Sequence, residues 1–327
     1  MKPRQRMIAS LSMQEPDDFV PVWEIEFHLF NKYASKKMIH STEYTKLTKA
    51  EQDKALHVNA EIMIEVAKKV GLSGLSNIGE YWEVAPGAPA PMWLPPEDSR
   101  RFLPMLKKAA GDDIFVMGWC HPLVLIPEAG DYVEFAYMLF DQPDKIDEIA
   151  KEKYVKGMEL ARIARDAGAD GLCAPADIAD TRGMYFTQEQ LDRYFFPYLK
   201  RWADDVRDMG MKSILHTDGN IYEILDKIAN SGVNGLQAID PIAGMDIVEV
   251  KKRAGDKLCL IGNIHLGLLQ NGPIADIKKE VKRVCEGCKK GGGFVLGATN
   301  AVFEEIPAEN YQAMIDAGRE FGSYKKK

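Results

Sequence analysis

Long apolar runs are absent from this 327-residue chain, and none reaches the roughly 18 residues a membrane span needs. The opening Met1-Lys2-Pro3-Arg4-Gln5-Arg6 is not followed by a signal-peptide core, so a cytoplasmic protein that does not engage the membrane is expected. Cysteine is scarce. Five is an odd count, which fits reduced thiols better than a disulfide framework. Cys285 and Cys288 form a lone Cys-x-x-Cys on a Lys-rich helical pattern with no second pair, which argues against a zinc site there. A basic stripe is also missing. With a net charge of −7 and Lys and Arg spread along amphipathic stretches, there is no electrostatic footprint for nucleic acid. The Lys325-Lys326-Lys327 end reads as a solvated tail. No Gly-x-Gly-x-x-Gly follows the first apolar run, which disfavours a doubly wound dinucleotide-binding sheet.

What is present is a recurrence. Short apolar runs fall at 20–26, 72–78, 114–119, 171–174, 213–216, 235–239, 258–263 and 293–296. Helical patterns separate most of them, at 52–70, 145–167, 187–209, 221–230, 245–253, 274–289 and 308–322. Strands alternating with helices pair in parallel, because each right-handed crossover returns its helix to the sheet. Eight such units make 1–327 a single α/β domain, a (β/α)₈ TIM barrel. Thr187 followed by Gln190 predicts a capping box, and Gly168, Gly210, Gly232 and Gly255 mark helix ends. The stretch 81–104 holds Pro86, Pro89, Pro91, Pro95 and Pro96. It is expected to form no regular element and to serve as a long loop after the second strand, walling or covering the site.

In such a barrel the chemistry lies at the carboxyl ends of the strands, and those ends are polar here. The first run gives Glu24, Glu26 and His28; the second leads to Asn77, Glu80 and Tyr81; the third to Trp119 and His121. The fourth runs into Asp177 and Asp180, the fifth supplies His216 and Asp218, and the sixth Gln237 and Asp240. The seventh ends at Asn263 and His265, and the eighth at Thr299 and Asn300. Residues two apart on a strand share a face, so His216 and Asp218 are expected to project together, as are Glu24 and Glu26. An imidazole beside a carboxylate binds a divalent metal, relays a proton or orients a substrate hydroxyl. The plain structural reading is a satisfied core histidine and a helix-capping aspartate.

His216, Asp218 and one of Glu26 or Glu80 would give zinc three ligands and an open position; Glu26 completes the expected set. His216, Asp218, Glu26, Glu80 and Asp177 are accordingly the candidate catalytic groups. Glu24, Tyr81, Trp119, Asp180, Gln237, Asp240, Asn263 and Asn300 are the candidate substrate contacts, with Trp82 and Trp93 beside Tyr81 and Trp119 as a flat aromatic wall.

The motifs Gly168-Ala169-Asp170, Asp177-Ile178-Ala179-Asp180, Phe196-Pro197-Tyr198, His216-Thr217-Asp218-Gly219-Asn220, Gly262-Asn263-Ile264 and Gly291-Gly292-Gly293-Phe294, with Val20-Pro21-Val22-Trp23, resemble the uroporphyrinogen decarboxylase superfamily. That resemblance implies a (β/α)₈ barrel, often dimeric, and two branches: decarboxylases of haem biosynthesis, and methyltransferases that exchange methyl groups with a corrinoid protein. The decarboxylase carries an arginine-bearing segment after its Pro-Val-Trp and a histidine in a Gly-His-Gly context after its last strand. Here those places read Glu24-Ile25-Glu26-Phe27-His28 and Gly297-Ala298-Thr299-Asn300. An acidic segment there would repel a polycarboxylate tetrapyrrole.

Methyltransferases of the family that activate thiols use His-x-Cys and a later Cys as zinc ligands. This chain has His216-x-Asp218, and Ala298 or Thr299 near the later position. The resemblance therefore implies the methyltransferase-like branch, acting on a small methyl donor such as an aryl methyl ether, with zinc or a protonated carboxyl at Glu26, Glu80 or Asp218 stabilising the leaving oxygen. The corrinoid would come from a separate corrinoid-binding protein, since no Asp-x-His-x-x-Gly signature occurs. The alternative is a carboxy-lyase acting on a porphyrinogen or smaller acid; a third reading is a non-catalytic barrel whose mouth residues are spectators.

Overall fold

A computed structural model describes residues 1–325 apart from 82, 86 and 128–130. Trp82 and Pro86, and Lys326 and Lys327 of the tail, lie outside the described residues. Seven of the eight apolar runs form regular strands: β1 Gly74–Ser76, β2 Phe115–Trp119, β3 Gly171–Pro175, β4 Lys212–Thr217, β5 Gly235–Ala238, β6 Cys259–Ile264 and β7 Phe294–Ala298. They pair in chain order, and every pair is parallel. The remaining run, 20–26, lies between β7 and β1. Trp23 N–H donates to Leu296 O (3.1 Å), Leu296 N–H to Pro21 O (2.9 Å) and Ser73 N–H to Val22 O (2.7 Å). These bonds supply the eighth stave and close the (β/α)₈ barrel. The stave is irregular because Pro21 has no N–H to donate and the backbone bends at Ile25 and Glu26.

Alternation along the strands sorts the side chains. One set packs inside the barrel: Trp23, Ile25, Phe115, Met117, Cys173, Ile214, Cys259, Ile261 and Val295. Their neighbours Val116, Leu172, Leu215, Leu236, Leu260 and Leu296 face the helical layer. The N-terminal helix Pro3–Leu11 pushes Met7 and Leu11 into the inner set. Leu11 seats over Gly235, where a Cβ would stand 3.2 Å from its Cδ2 and 2.9 Å from Ile261 Cδ1; a larger residue there would unseat the helix.

The helices follow the expected punctuation, with corrections at 187–209 and in the Pro-rich stretch. The Thr187–Gln190 capping box is formed, but 187–209 is two helices, Gln188–Tyr194 and Phe196–Asp208. Pro197 in the first turn of the second cannot donate back to Arg193, so the ladder breaks. Gly168 and Gly210 take φ of 82° and 78°, whereas Gly255 ends its helix at −75°. The Pro-rich stretch is not wholly irregular: Glu83–Ala85 pairs antiparallel with Ala88–Pro89, and a helix runs Pro96–Ala110. Pro96 opens that helix where no intrahelical donor is needed, and Pro104 is accommodated inside it.

Among the described residues no helix is long and apolar enough to cross a membrane. All five cysteines are free and buried, and burial pushes the Cys285 and Cys288 thiols up to about 12. If the N-terminal helix is a structural plug, Leu11→Ala leaves a void under the barrel and lowers unfolding free energy by about 2–5 kcal/mol. A urea titration followed by circular dichroism measures it.

Candidate active site

The barrel's inner alternation places Ile214 in the packed interior and His216 two residues nearer the mouth. Register sets its neighbours: His216 lies opposite Pro175 of β3 and Gln237 of β5. Above it opens a cavity of about 730 Å³, lined by Glu26, Glu80, Tyr81, Trp119, Asp177, His216, Asp218 and Asn300 among others. The carboxyl-end placement expected from the sequence is therefore found for these eight candidates.

Three of them converge. Asp177, His216 and Asp218 each bring one ligand-type atom to within 4.8 Å of the other two. His216 Nε2 lies 3.8 Å from Asp177 Oδ1, and the same oxygen accepts the Asp218 backbone N–H (3.0 Å). Asn300 Nδ2 donates to Asp218 Oδ2 (2.8 Å), fixing that carboxylate's orientation. His216 is 6% exposed. The Asp218 carboxyl sits above its usual range: burial is the largest cause, the charges of Asp177 and Asp240 add to it, and His216 and Asn300 pull the other way. The cluster thus gathers negative charge around a buried imidazole, which is a setting that a cation relieves.

Of the expected zinc set of His216, Asp218 and Glu26, the first two stand in this group, and its third member is Asp177, read from the sequence as a catalytic candidate, rather than Glu26. Glu26 lines the cavity, but its Oε2 pairs with His28 Nε2 at 3.0 Å. Glu80 also lines it, held by Arg100 Nε at 3.2 Å. Trp119 presents its ring there while its Nε1 donates to Asn77 O (2.8 Å). Tyr81 stands at the rim, 46% exposed, with its hydroxyl donating to Glu83 Oε1 (2.9 Å) and its ring edge-on to Trp93.

Five expected substrate contacts lie outside the cavity lining. Glu24 turns into the barrel wall, where Oε2 accepts the Ala298 N–H (2.8 Å) and Oε1 the Tyr311 hydroxyl (2.9 Å). The period-two reading fails there because the bend at Ile25 and Glu26 rotates Glu26 to the mouth and leaves Glu24 behind Trp23 and Ile25. Gln237 stands behind His216, 1% exposed. Asp180 is taken up by Arg182, with Oδ2 2.7 Å from its Nη2. Asp240 accepts the Ile242 N–H and reaches Asp218 only through its charge. Asn263 Nδ2 donates to Ile239 O (2.8 Å) in the interior. Trp93 is buried at 8% exposure behind Tyr81. Residues the sequence did not single out are Arg100 and Tyr185, both lining the cavity. Arg100 was hidden by the reading of its helix as loop, and Tyr185 follows a small ribbon, Ala179–Asp180 with Gly183–Met184, that carries no periodic signal.

Comparison with known proteins follows the same lines. The family model described as uroporphyrinogen decarboxylase (URO-D) matches residues 103–321. A uroporphyrinogen decarboxylase of Trichodesmium erythraeum is 24% identical over 245 residues, 70% of this chain and 66% of its own. That of Pseudoalteromonas atlantica is 30% identical over 161 residues, 48% of this chain and 43% of its own. The methylcobamide:CoM methyltransferase MtbA of Methanosarcina acetivorans is 26% identical over 137 residues, 41% of this chain and 37% of its own. The chain therefore spans less than two thirds of each of these relatives. A solved methyltransferase from Methanosarcina mazei shares the fold over 98% of this chain and 99% of its own, with a TM-score of 0.66 at 19% identity.

The buried acid in the wall gives a pH signature. Burial pushes Glu24 up to about 8 from 4.5, against the two hydrogen bonds it accepts. The unfolded chain releases this proton first as pH rises, so folding stability falls between about pH 4.5 and 8, by at most about 1.4 kcal/mol per unit. Glu24→Gln removes that decline, and urea midpoints of the two proteins at about pH 5 and about pH 8 display the difference.

Proposed function

Because the chain belongs to the uroporphyrinogen decarboxylase family, we propose that it is the methyltransferase component of a corrinoid-dependent demethylation system, taking a methyl group from a small oxygen-linked donor. The convergence of Asp177, His216 and Asp218 under a 730 Å³ cavity carries this reading. The similarity to a methylcobamide:CoM methyltransferase supports it.

The donor set fits a divalent metal: one imidazole nitrogen and two carboxylate oxygens match a three-ligand centre with a position left for substrate. Such an oxygen-rich set selects zinc less sharply than thiolates do. When bound, zinc supplies a Lewis acid at the donor's oxygen, and a corrinoid on a partner protein supplies the nucleophile that accepts the methyl group. The chain's own residues do the rest. Asn300 holds Asp218 in place, Trp119, Tyr185 and Tyr81 wall a flat substrate, and the half-buried Glu26, anchored by His28, stands in the same cavity as a proton donor or acceptor. The methyl–oxygen bond breaks, the oxygen keeps the electron pair, and the demethylated product leaves as the protonated alcohol or phenol.

A carboxy-lyase reading rests on one observation. Arg100 lines the cavity and is tied to Glu80 through Nε, which among the described residues leaves its terminal nitrogens as a fork for a carboxylate.

Zinc-loaded protein is expected to hold one metal per chain by elemental analysis, and both His216→Ala and Asp177→Asn to release it. Methyl transfer from an aryl methyl ether to reduced cobalamin, read from the cobalamin spectrum, should be lost in the same variants. Carbon dioxide release from uroporphyrinogen without methyl transfer would replace this reading with the lyase, and undiminished transfer by metal-free protein would remove the metal from it.

A further inference from the structure

Gln237 faces His216 across the β4–β5 register, and its hydrogen bonds leave the imidazole little choice. Its amide nitrogen, Nε2, contacts two backbone carbonyls, Ala298 O at 3.3 Å and Thr299 O at 3.0 Å. Carbonyl oxygens only accept, so the NH₂ end of the amide must point at them and the oxygen end must point at His216. Gln237 Oε1 is hydrogen-bonded to His216 Nδ1, and an amide oxygen only accepts too, so the hydrogen of that bond belongs to Nδ1. Gln237 is 1% exposed and His216 6%, which leaves water little room to compete.

We infer that Gln237 is a positioning residue that fixes His216 as the Nδ1–H tautomer and so turns the lone pair of Nε2 toward Asp177 and the cavity. Neutral histidine in water favours the opposite, Nε2–H form, which would aim a hydrogen at the point where Asp177, His216 and Asp218 converge. The three contacts made by one buried amide therefore decide whether the cluster offers a cation three acceptors or two acceptors and a donor. In the Nδ1–H form the neutral imidazole is a ligand or a base toward the cavity, never an acid. The carbonyls that orient Gln237 belong to the end of β7 and the residue beyond it, so the seam that closes the barrel also sets the proton on its central imidazole.

The inference deepens the reading of the mouth as a metal centre and is tested without metal. In metal-free protein labelled with ¹⁵N-histidine, long-range ¹H–¹⁵N correlation above the imidazole titration range reports which ring nitrogen is protonated. His216→Asn identifies the resonance. Wild type is expected to show Nδ1–H. Gln237→Met, nearly isosteric but unable to accept, should revert toward Nε2–H and bind zinc about 10–100-fold more weakly. Gln237→Glu keeps an acceptor at Oε1 and should keep the wild-type tautomer. An Nε2–H signal in wild type overturns the inference without any variant having to fold, as does an unchanged Nδ1–H signal in folded Gln237→Met. If the tautomer is Nδ1–H yet zinc does not bind, the metal reading fails and this one stands.

Discussion

Everything at the mouth depends on the few backbone hydrogen bonds that tie residues 21–23 to Leu296 on one side and Ser73 on the other. Without them the seven regular strands are an open parallel sheet with two unpaired edges, and the residues at their carboxyl ends line a slope instead of a well. Closure also sets depth. It brings β7 round so that the carbonyls of Ala298 and Thr299 meet Gln237, and the N–H of Ala298 meets Glu24. A weakly regular segment, bent at Ile25 and Glu26, thus settles which of two nearby glutamates joins the wall and which the cavity.

The electrostatic character of that cavity follows from the same geometry. Asp177 and Asp218 come from loops after adjacent strands, β3 and β4, and they meet because those strands pair residue for residue, Pro175 beside His216. Two carboxylates that would repel in isolation are held by an N–H and an amide, Asp218 N–H to Asp177 and Asn300 to Asp218. The protein spends local electrostatic stability at this point and recovers it in the apolar interior below, where Ile214, Ile261 and Val295 fill the barrel.

Much of this was legible in the sequence. Eight apolar runs with helical patterns between them gave the barrel, and period two put His216 and Asp218 on one face at the end of their strand. The motifs that resemble the uroporphyrinogen decarboxylase superfamily, from Gly168 to Phe294, lie inside the matched span 103–321. What escaped did so for identifiable reasons. Glu24 was misplaced because alternation presumes a straight strand. Asp177 was seen, but its convergence with His216 depends on interstrand register, which one strand's pattern does not encode. Arg100 was lost because a proline-rich stretch reads as loop, although proline at the first turn of a helix breaks nothing. Gln237 stood out as a polar strand end; that it lies behind His216 and hydrogen-bonds it is a matter of depth, visible only once the strands are side by side.

The helix Pro3–Leu11 has a consequence for traffic. With Met7 and Leu11 packed into the lower barrel, that end is stoppered by apolar side chains among the described residues, so the cavity above His216 is approached from the face where the strands end, and the helix that closes the floor leaves the mouth to the loops alone.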